Sequence, residues 1–254
     1  MTASKPAPIL EAKNITQRFG AFTAVNNVSV SFAAGKLAAI IGPNGAGKST
    51  LFNVLSGALI PTTGEIMFAG QNITGIAQHE FARRGIAKSF QITNLFPQLT
   101  ARENVRVAVQ MRYSRFAIFT PRARFSEWTD LANTLLERVG LADRGDRLAR
   151  DLAHGEQRCL EVAMALACEP KLLLLDEPTA GMSPEETLVM MQLIRTLASE
   201  RTVILVEHKM KLVMGLCERI IVLHHGELLA EGAPDEIRSN ADVKRVYLGQ
   251  GPAK

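Results

Sequence analysis

Residues 42–49 read Gly42, Pro43, Asn44, Gly45, Ala46, Gly47, Lys48 and Ser49, with Thr50 next. Small residues at this spacing let consecutive backbone N–H groups turn inward on phosphate oxygens at a helix N-terminus. That geometry demands a strand to deliver the loop and a helix to leave it. The apolar run Leu37–Ile41 is the expected strand and residues 50–59 the expected helix. Lys48 adds a mobile positive charge and Ser49 a hydroxyl suited to Mg²⁺, so the segment predicts binding of a nucleoside triphosphate.

The rest of the composition sets bounds around this loop. A chain of 254 residues, 47% hydrophobic, can bury a substantial core as one large domain or a domain with a smaller insertion. Cys159, Cys168 and Cys217 show no paired or metal-ligand spacing, and no charged stretch leads into an apolar signal segment. A reducing cytosolic setting is the expectation. No apolar run approaches the roughly 18 residues that cross a bilayer, so membrane work would require a partner. The net charge of +4 is modest, although Arg102, Arg106, Arg112, Arg115, Arg122 and Arg124 crowd one stretch. That stretch reads as a solvated face or as a contact with lipid headgroups or a membrane partner. It lacks the stacking aromatics of a nucleic-acid site, and no nucleic-acid partner is expected.

Along the chain, residues 9–15 and 28–32 alternate apolar and polar positions as antiparallel strands do, and 65–68 reads as a strand entering a hairpin at Ala69 and Gly70. Beyond residue 90, helical periodicity and arginine dominate. From 171 the texture becomes that of a buried parallel sheet, with apolar runs 172–175 and 203–206 ending in polar residues. Ser183, Pro184, Glu185 and Glu186 form a capping box with proline at the first helical position. Residues 220–223 and 227–231 read as a hairpin across His224, His225 and Gly226. The expected organisation is a nucleotide-binding core over 1–90 with an antiparallel β-subdomain, a helical subdomain over 91–160, and the rest of the core over 161–254. The fold class is α/β, a P-loop NTPase of RecA-like type with those two additions.

Ligands of open α/β sheets sit at the carboxyl ends of strands, where Asp176, Glu177 and His208 fall. An aspartate after four apolar residues suits Mg²⁺ held through water, and the adjacent glutamate suits acceptance of a proton from an attacking water. His208 by itself would read as a satisfied core histidine; beside the loop and the two carboxylates it reads as part of a site.

With these residues in order, the chain resembles the ATPase subunits of ATP-binding cassette (ABC) transporters over nearly its whole length. The resemblance adds Gln91 as the Q-loop residue and Leu152, Ala153, His154, Gly155, Glu156 and Gln157 as the signature region. It identifies 172–177 as Walker B, His208 as the switch histidine, and Phe19 as the aromatic that stacks on adenine, a residue that core packing would also explain. It implies that Lys48 and the loop amides hold the β and γ phosphates of ATP, and that Ser49 and Gln91 reach Mg²⁺. Glu177 would polarise water, and His208 would stabilise the γ-phosphate. Two subunits would meet head to tail, as a homo- or heterodimer, with each ATP between the loop of one and the signature helix of the other.

Two positions depart from the family pattern. Ala153 stands where serine is common, and Ser183 where aspartate is common. A lost hydroxyl contact to an ionised phosphate would be about 1.5–3 kcal/mol, roughly ten- to a hundredfold. The segment 94–104, the arginine-rich insertion, residues 180–184 and the closing 246–249 are similar to the branched-chain amino acid and urea/amide uptake group. That likeness implies an importer with two transmembrane permease subunits and, indirectly, a solute-binding protein. The chain would lie peripherally on the cytoplasmic face of the membrane. The nearest rival is the ATPase of lipopolysaccharide extraction. A soluble ABC ATPase acting on nucleic acid or ribosomes would be expected to carry two cassettes or a coiled-coil insertion, and neither is present.

Overall fold

The structure, a computed structural model, describes residues 8–89, 95–113 and 123–248. Gln91, Arg115 and Arg122 lie outside them. A six-stranded sheet runs in the order β10 (Glu227–Gly232), β9 (Arg219–His224), β3 (Leu37–Ile41), β8 (Thr202–Val206), β7 (Leu172–Asp176), β6 (Ile86–Lys88). All neighbours are parallel except β10, which returns antiparallel on β9. A second, antiparallel sheet is ordered β2 (Phe22–Ala33), β1 (Pro8–Phe19), β4 (Thr63–Phe68), β5 (Gln71–Asn72).

The uninterrupted apolar strands follow from burial on both faces. Side chains alternate along a strand, so Leu172 and Leu174 join Ala38, Ile40, Ile204 and Val206 against the antiparallel sheet. Leu173 and Leu175 join Ala39, Ile41, Val203 and Leu205 on the helical side. Helix α1 (Lys48–Leu55) lies in the first core through Leu51, Phe52, Val54 and Leu55. It begins two residues earlier than the sequence suggests and stops short of residue 59. Gly57 ends it, with φ of +71° and a position where a Cβ would fall 2.4 Å from the Phe81 ring. Phe81 belongs to α2 (Gln78–Arg83), which precedes β6.

The helical side contains α3 (Ala101–Tyr113), α4 (Ala123–Arg138) and α5 (His154–Leu166), joined through Val105, Val109, Trp128, Ala132, Leu136 and Leu160. Arg102 pairs with Asp146 and Arg112 with Glu169, so part of the arginine-rich stretch is tied to acids of the same chain. Helix α6 (Pro184–Ala198) opens on the capping box expected at Ser183, with Glu186 N donating to Ser183 Oγ at 3.1 Å. The chain closes with α7 (Met210–Leu216), α8 (Pro234–Ser239) and α9 (Ala241–Leu248). Among the described residues no helix is long and apolar enough to cross a membrane.

Asn104 fastens the entry to α3. Its side chain is fully buried, donates to the carbonyls of Phe96, Leu99 and Thr100, and accepts from Phe96 N at 2.8 Å. Asn104→Ala leaves those backbone groups without their partner at a cost of about 2–3 kcal/mol. The expected outcome is a lower urea midpoint with an unchanged denaturant slope in equilibrium unfolding.

Candidate functional site

The loop between β3 and α1 is gripped from two sides. Gly226, in the turn between β9 and β10, donates to Ala46 O at 3.1 Å and accepts from Asn26 N of β2 at 2.8 Å. Gly47, at φ +94°, passes so close to β2 that a Cβ would fall 2.5 Å from Ala24 O; a Cβ on Gly42 would fall 2.4 Å from Leu223 O. No side chain fits at either position. Ala46 N bonds Pro43 O at 3.2 Å, while Asn44 and Gly45 are exposed at the apex. Ser49 is exposed and Thr50 half-buried in the first turn of α1.

Lys48 Nζ donates to the carbonyls of Gly42 and Pro43, both at 2.9 Å, which folds its charge back over the loop. Burial lowers its pKa, partly offset by Glu177 and Asp176. Register brings these groups together, because Ile40 pairs with Val206 and Val206 pairs with Asp176. Gly42, Glu177 and His208 therefore emerge just past the same level of three adjacent strands.

Asp176 is 4% exposed, and its Oδ1 has no hydrogen-bond partner among the described residues. Burial raises its pKa; Lys88 opposes the shift, and Glu177 adds to it. Lys88 itself has its pKa lowered by burial, and its ammonium donates to Asn53 Oδ1 at 2.6 Å beneath α1. Glu177 adopts φ of +45°, uncommon for a residue with a side chain, and is fixed by Glu177 N to Val206 O and Ala180 N to Glu177 O, both at 3.0 Å. Its Oε1 lies 3.9 Å from His208 Nδ1. Under His208 sits Glu207, 1% exposed, which accepts from Thr179 Oγ1 at 2.6 Å and from His208 N at 3.2 Å. Glu207 pins the segment after Glu177 onto β8; nothing in the sequence pattern distinguishes it from an ordinary strand-end acid.

These residues fit a nucleoside triphosphate with a divalent cation. The loop presents amides in a cradle that tolerates only glycine at two points, a lysine and a hydroxyl flank it, and a buried carboxylate oxygen stands unpaired beside them. Phe19 is 49% exposed at the end of β1, opposite Phe22, so it is free to stack on a base rather than absorbed into the core. Gln91 is outside the described residues.

The signature region forms the start of α5. Ala153 and His154 are exposed, Gly155 is buried, and Glu156 accepts from Ala153 N at 3.0 Å and from Arg144 Nε at 2.8 Å. Ala153 occupies the N-cap position with no side-chain oxygen to offer. Gly155 N instead donates to Glu186 Oε1 of α6 at 3.2 Å.

The ABC transporter family profile matches residues 25–180, more than half of the chain, and a profile described as branched-chain amino acid ATP-binding cassette transporter matches 227–253. Over 251 residues the chain is 43% identical to the high-affinity branched-chain amino acid transport ATP-binding protein LivG of Escherichia coli strain K12, covering 96% of this chain and 98% of that protein. It is 32% identical over 243 residues to the lipopolysaccharide export system ATP-binding protein LptB of Haemophilus influenzae, covering 95% and 98%. The ADP conformation of an ATP-binding cassette of an ABC transporter superposes with a TM-score of 0.85 at 29% identity, covering 96% of this chain and all of that one.

Because Asp176 has a folded pKa above its unfolded value, its ionised form costs stability at neutral pH, and the cost fades as pH falls toward about 4, the ordinary aspartate range. Asp176→Asn is therefore expected to raise the thermal midpoint of the nucleotide-free chain at pH 7, with the gain shrinking toward pH 4. The same variant should lose ATP turnover by on the order of 10² or more.

Proposed function

The chain belongs to the ATP-binding cassette transporter family, and from that premise we propose that it is the ATP-hydrolysing subunit of an importer for branched-chain amino acids. The observation that carries the reading is the meeting of Lys48, Asp176, Glu177 and His208 at the carboxyl ends of adjacent parallel strands, in a chain 43% identical to LivG along nearly its full length. Likeness to LptB is weaker, at 32%, and the C-terminal match to a profile described as branched-chain amino acid ATP-binding cassette transporter supports the branched-chain group.

In this reading Lys48 and the amides of 42–49 bind the β and γ phosphates, and Phe19 receives the adenine. Ser49, Gln91 and, through water, Asp176 would hold Mg²⁺, which supplies charge neutralisation and alignment of the phosphates. Glu177 accepts a proton from the attacking water. His208, 3.9 Å from it, holds the geometry and stabilises charge on the γ-phosphate. Ala153, His154, Gly155 and Glu156 are presented to nucleotide on a second ATPase subunit, head to tail. The permease subunits would dock at a groove of about 390 Å³ between α2, β6, α3 and α5, whose apolar wall includes Phe81, Ala87, Ala108 and Met164. That docking would hold the chain at the cytoplasmic face of the membrane.

Glu177→Gln in the assembled transporter is expected to reduce kcat by on the order of 10² to 10³ while ATP binding persists; undiminished hydrolysis removes Glu177 as the base. Recovery of polytopic subunits and loss of leucine uptake on deletion would support the importer, whereas recovery of lipopolysaccharide-handling subunits would replace it. Ala153→Ser restores both an N-cap and a phosphate ligand. It is expected to stabilise the isolated chain by about 1 kcal/mol in denaturant titration and to raise turnover of the assembled complex by up to about a hundredfold. Unchanged turnover would mean that Ala153 is no handicap.

A further inference from the structure

Glu186 has no part in the hydrolytic chemistry above, yet its carboxylate joins the start of α5 to the start of α6. Oε2 accepts from Ser183 N at 2.9 Å, closing the capping box of its own helix, and Oε1 accepts from Gly155 N at 3.2 Å. The fit is close. A Cβ on residue 155 would fall 2.6 Å from Oε1, so glycine there is what admits the carboxylate. Alongside, Gly181 approaches His154 so that a Cβ would lie 3.1 Å from the ring. From Ser183 the chain runs back three residues to Ala180 and six to Glu177, where Ala180 N bonds Glu177 O at 3.0 Å. One side chain thus spans the segment that carries the proposed base and the helix offered to a partner.

The chemistry of the α5 terminus explains why an acid is there. Gly155 is the second residue of α5, and its amide is one that an N-cap hydroxyl ordinarily satisfies. Ala153 has no such oxygen. Glu186 supplies it from another helix, and the positive end of α5 favours an anion at that place. The head-to-tail reading, on which this inference rests, directs the same amide toward a phosphate on the partner subunit. One N–H cannot serve both, and two anions at such a distance repel.

We propose that Glu186 is a positioning residue of the composite site: its carboxylate is the anion held at the N-terminus of α5 until nucleotide on a partner subunit takes its place. Release of Gly155 then frees residues 177–186 from α5, linking engagement of the partner's nucleotide to the setting of Glu177.

Glu186→Gln keeps the shape but removes the charge and leaves one acceptor oxygen for the two N–H donors of Ser183 and Gly155. In the assembled complex it is expected to lower KM for ATP by about threefold to tenfold, because the displaced group no longer repels phosphate. Glu186→Ala is expected to raise amide exchange at Gly155 at least about tenfold in the nucleotide-free chain. A residue that merely caps α6 would leave KM unmoved in the glutamine variant. Unchanged or raised KM for Glu186→Gln overturns the proposal, as does Gly155 exchange unaffected by Glu186→Ala. ATP affinity of the isolated chain is the control: parental affinity with unmoved KM in the complex defeats this inference alone, whereas an isolated parent chain that binds no ATP defeats the functional reading with it.

Discussion

The grip on the phosphate-binding loop is the contact on which the arrangement of the site depends. The loop is squeezed between β2, whose Ala24 carbonyl lies against Gly47, and the β9–β10 turn, whose Gly226 bonds both Ala46 and Asn26. Two sheets of different topology therefore meet on one loop. That meeting fixes where its amides point, at the cost of requiring glycine at positions 42, 47 and 226. Once β3 is anchored in this way, parallel register carries the rest. The neighbouring strands end level with it, and the residues beyond their ends share one surface with the loop. No long-range adjustment is needed to bring Glu177 and His208 beside the loop.

Beneath that surface the chain accepts an arrangement that weakens the empty protein. Asp176 is buried with an unpaired oxygen, and the lysines nearest to it, Lys88 and Lys48, are shifted by burial toward their neutral forms. A core selected for stability alone would avoid such a cluster. In the proposed function its groups meet phosphate and a divalent cation, and ligand binding would then relieve electrostatic strain already present in the folded chain. Glu177 at positive φ belongs to the same pattern, with Glu207 and Thr179 beneath it holding a conformation that its own backbone disfavours.

Much of this was legible in the sequence because it depends on local rules. The loop, the capping box at Ser183, the hairpin at 220–231 and the acids after apolar strands each follow from residue type and spacing. The limits of legibility are equally physical. β6 has three residues, too few to display a period, and exists because β7 offers it an edge. The early start of α1 comes from the loop's own turn geometry rather than from any helical repeat. Lys88, Glu207 and Glu186 matter through partners dozens of residues away, and as isolated letters each reads as an ordinary charged residue on an element end.

Ala153 and Glu186 act on the same helix terminus: Ala153 has no oxygen to cap it, and Glu186 accepts from Gly155 N there. A serine at the N-cap satisfies its helix locally, and that satisfaction persists whatever the rest of the molecule does. With alanine there, the α5 amide is satisfied only while α5 and α6 keep their present distance, so a local bond has become a tertiary one. The terminus of the signature helix is then stable in the resting chain and more readily exchanged than a serine cap would allow, since the competing group sits on a different helix and can retreat with it. In the proposed head-to-tail pair, the helix lent to another subunit would thereby also be the part that reports whether a partner is engaged.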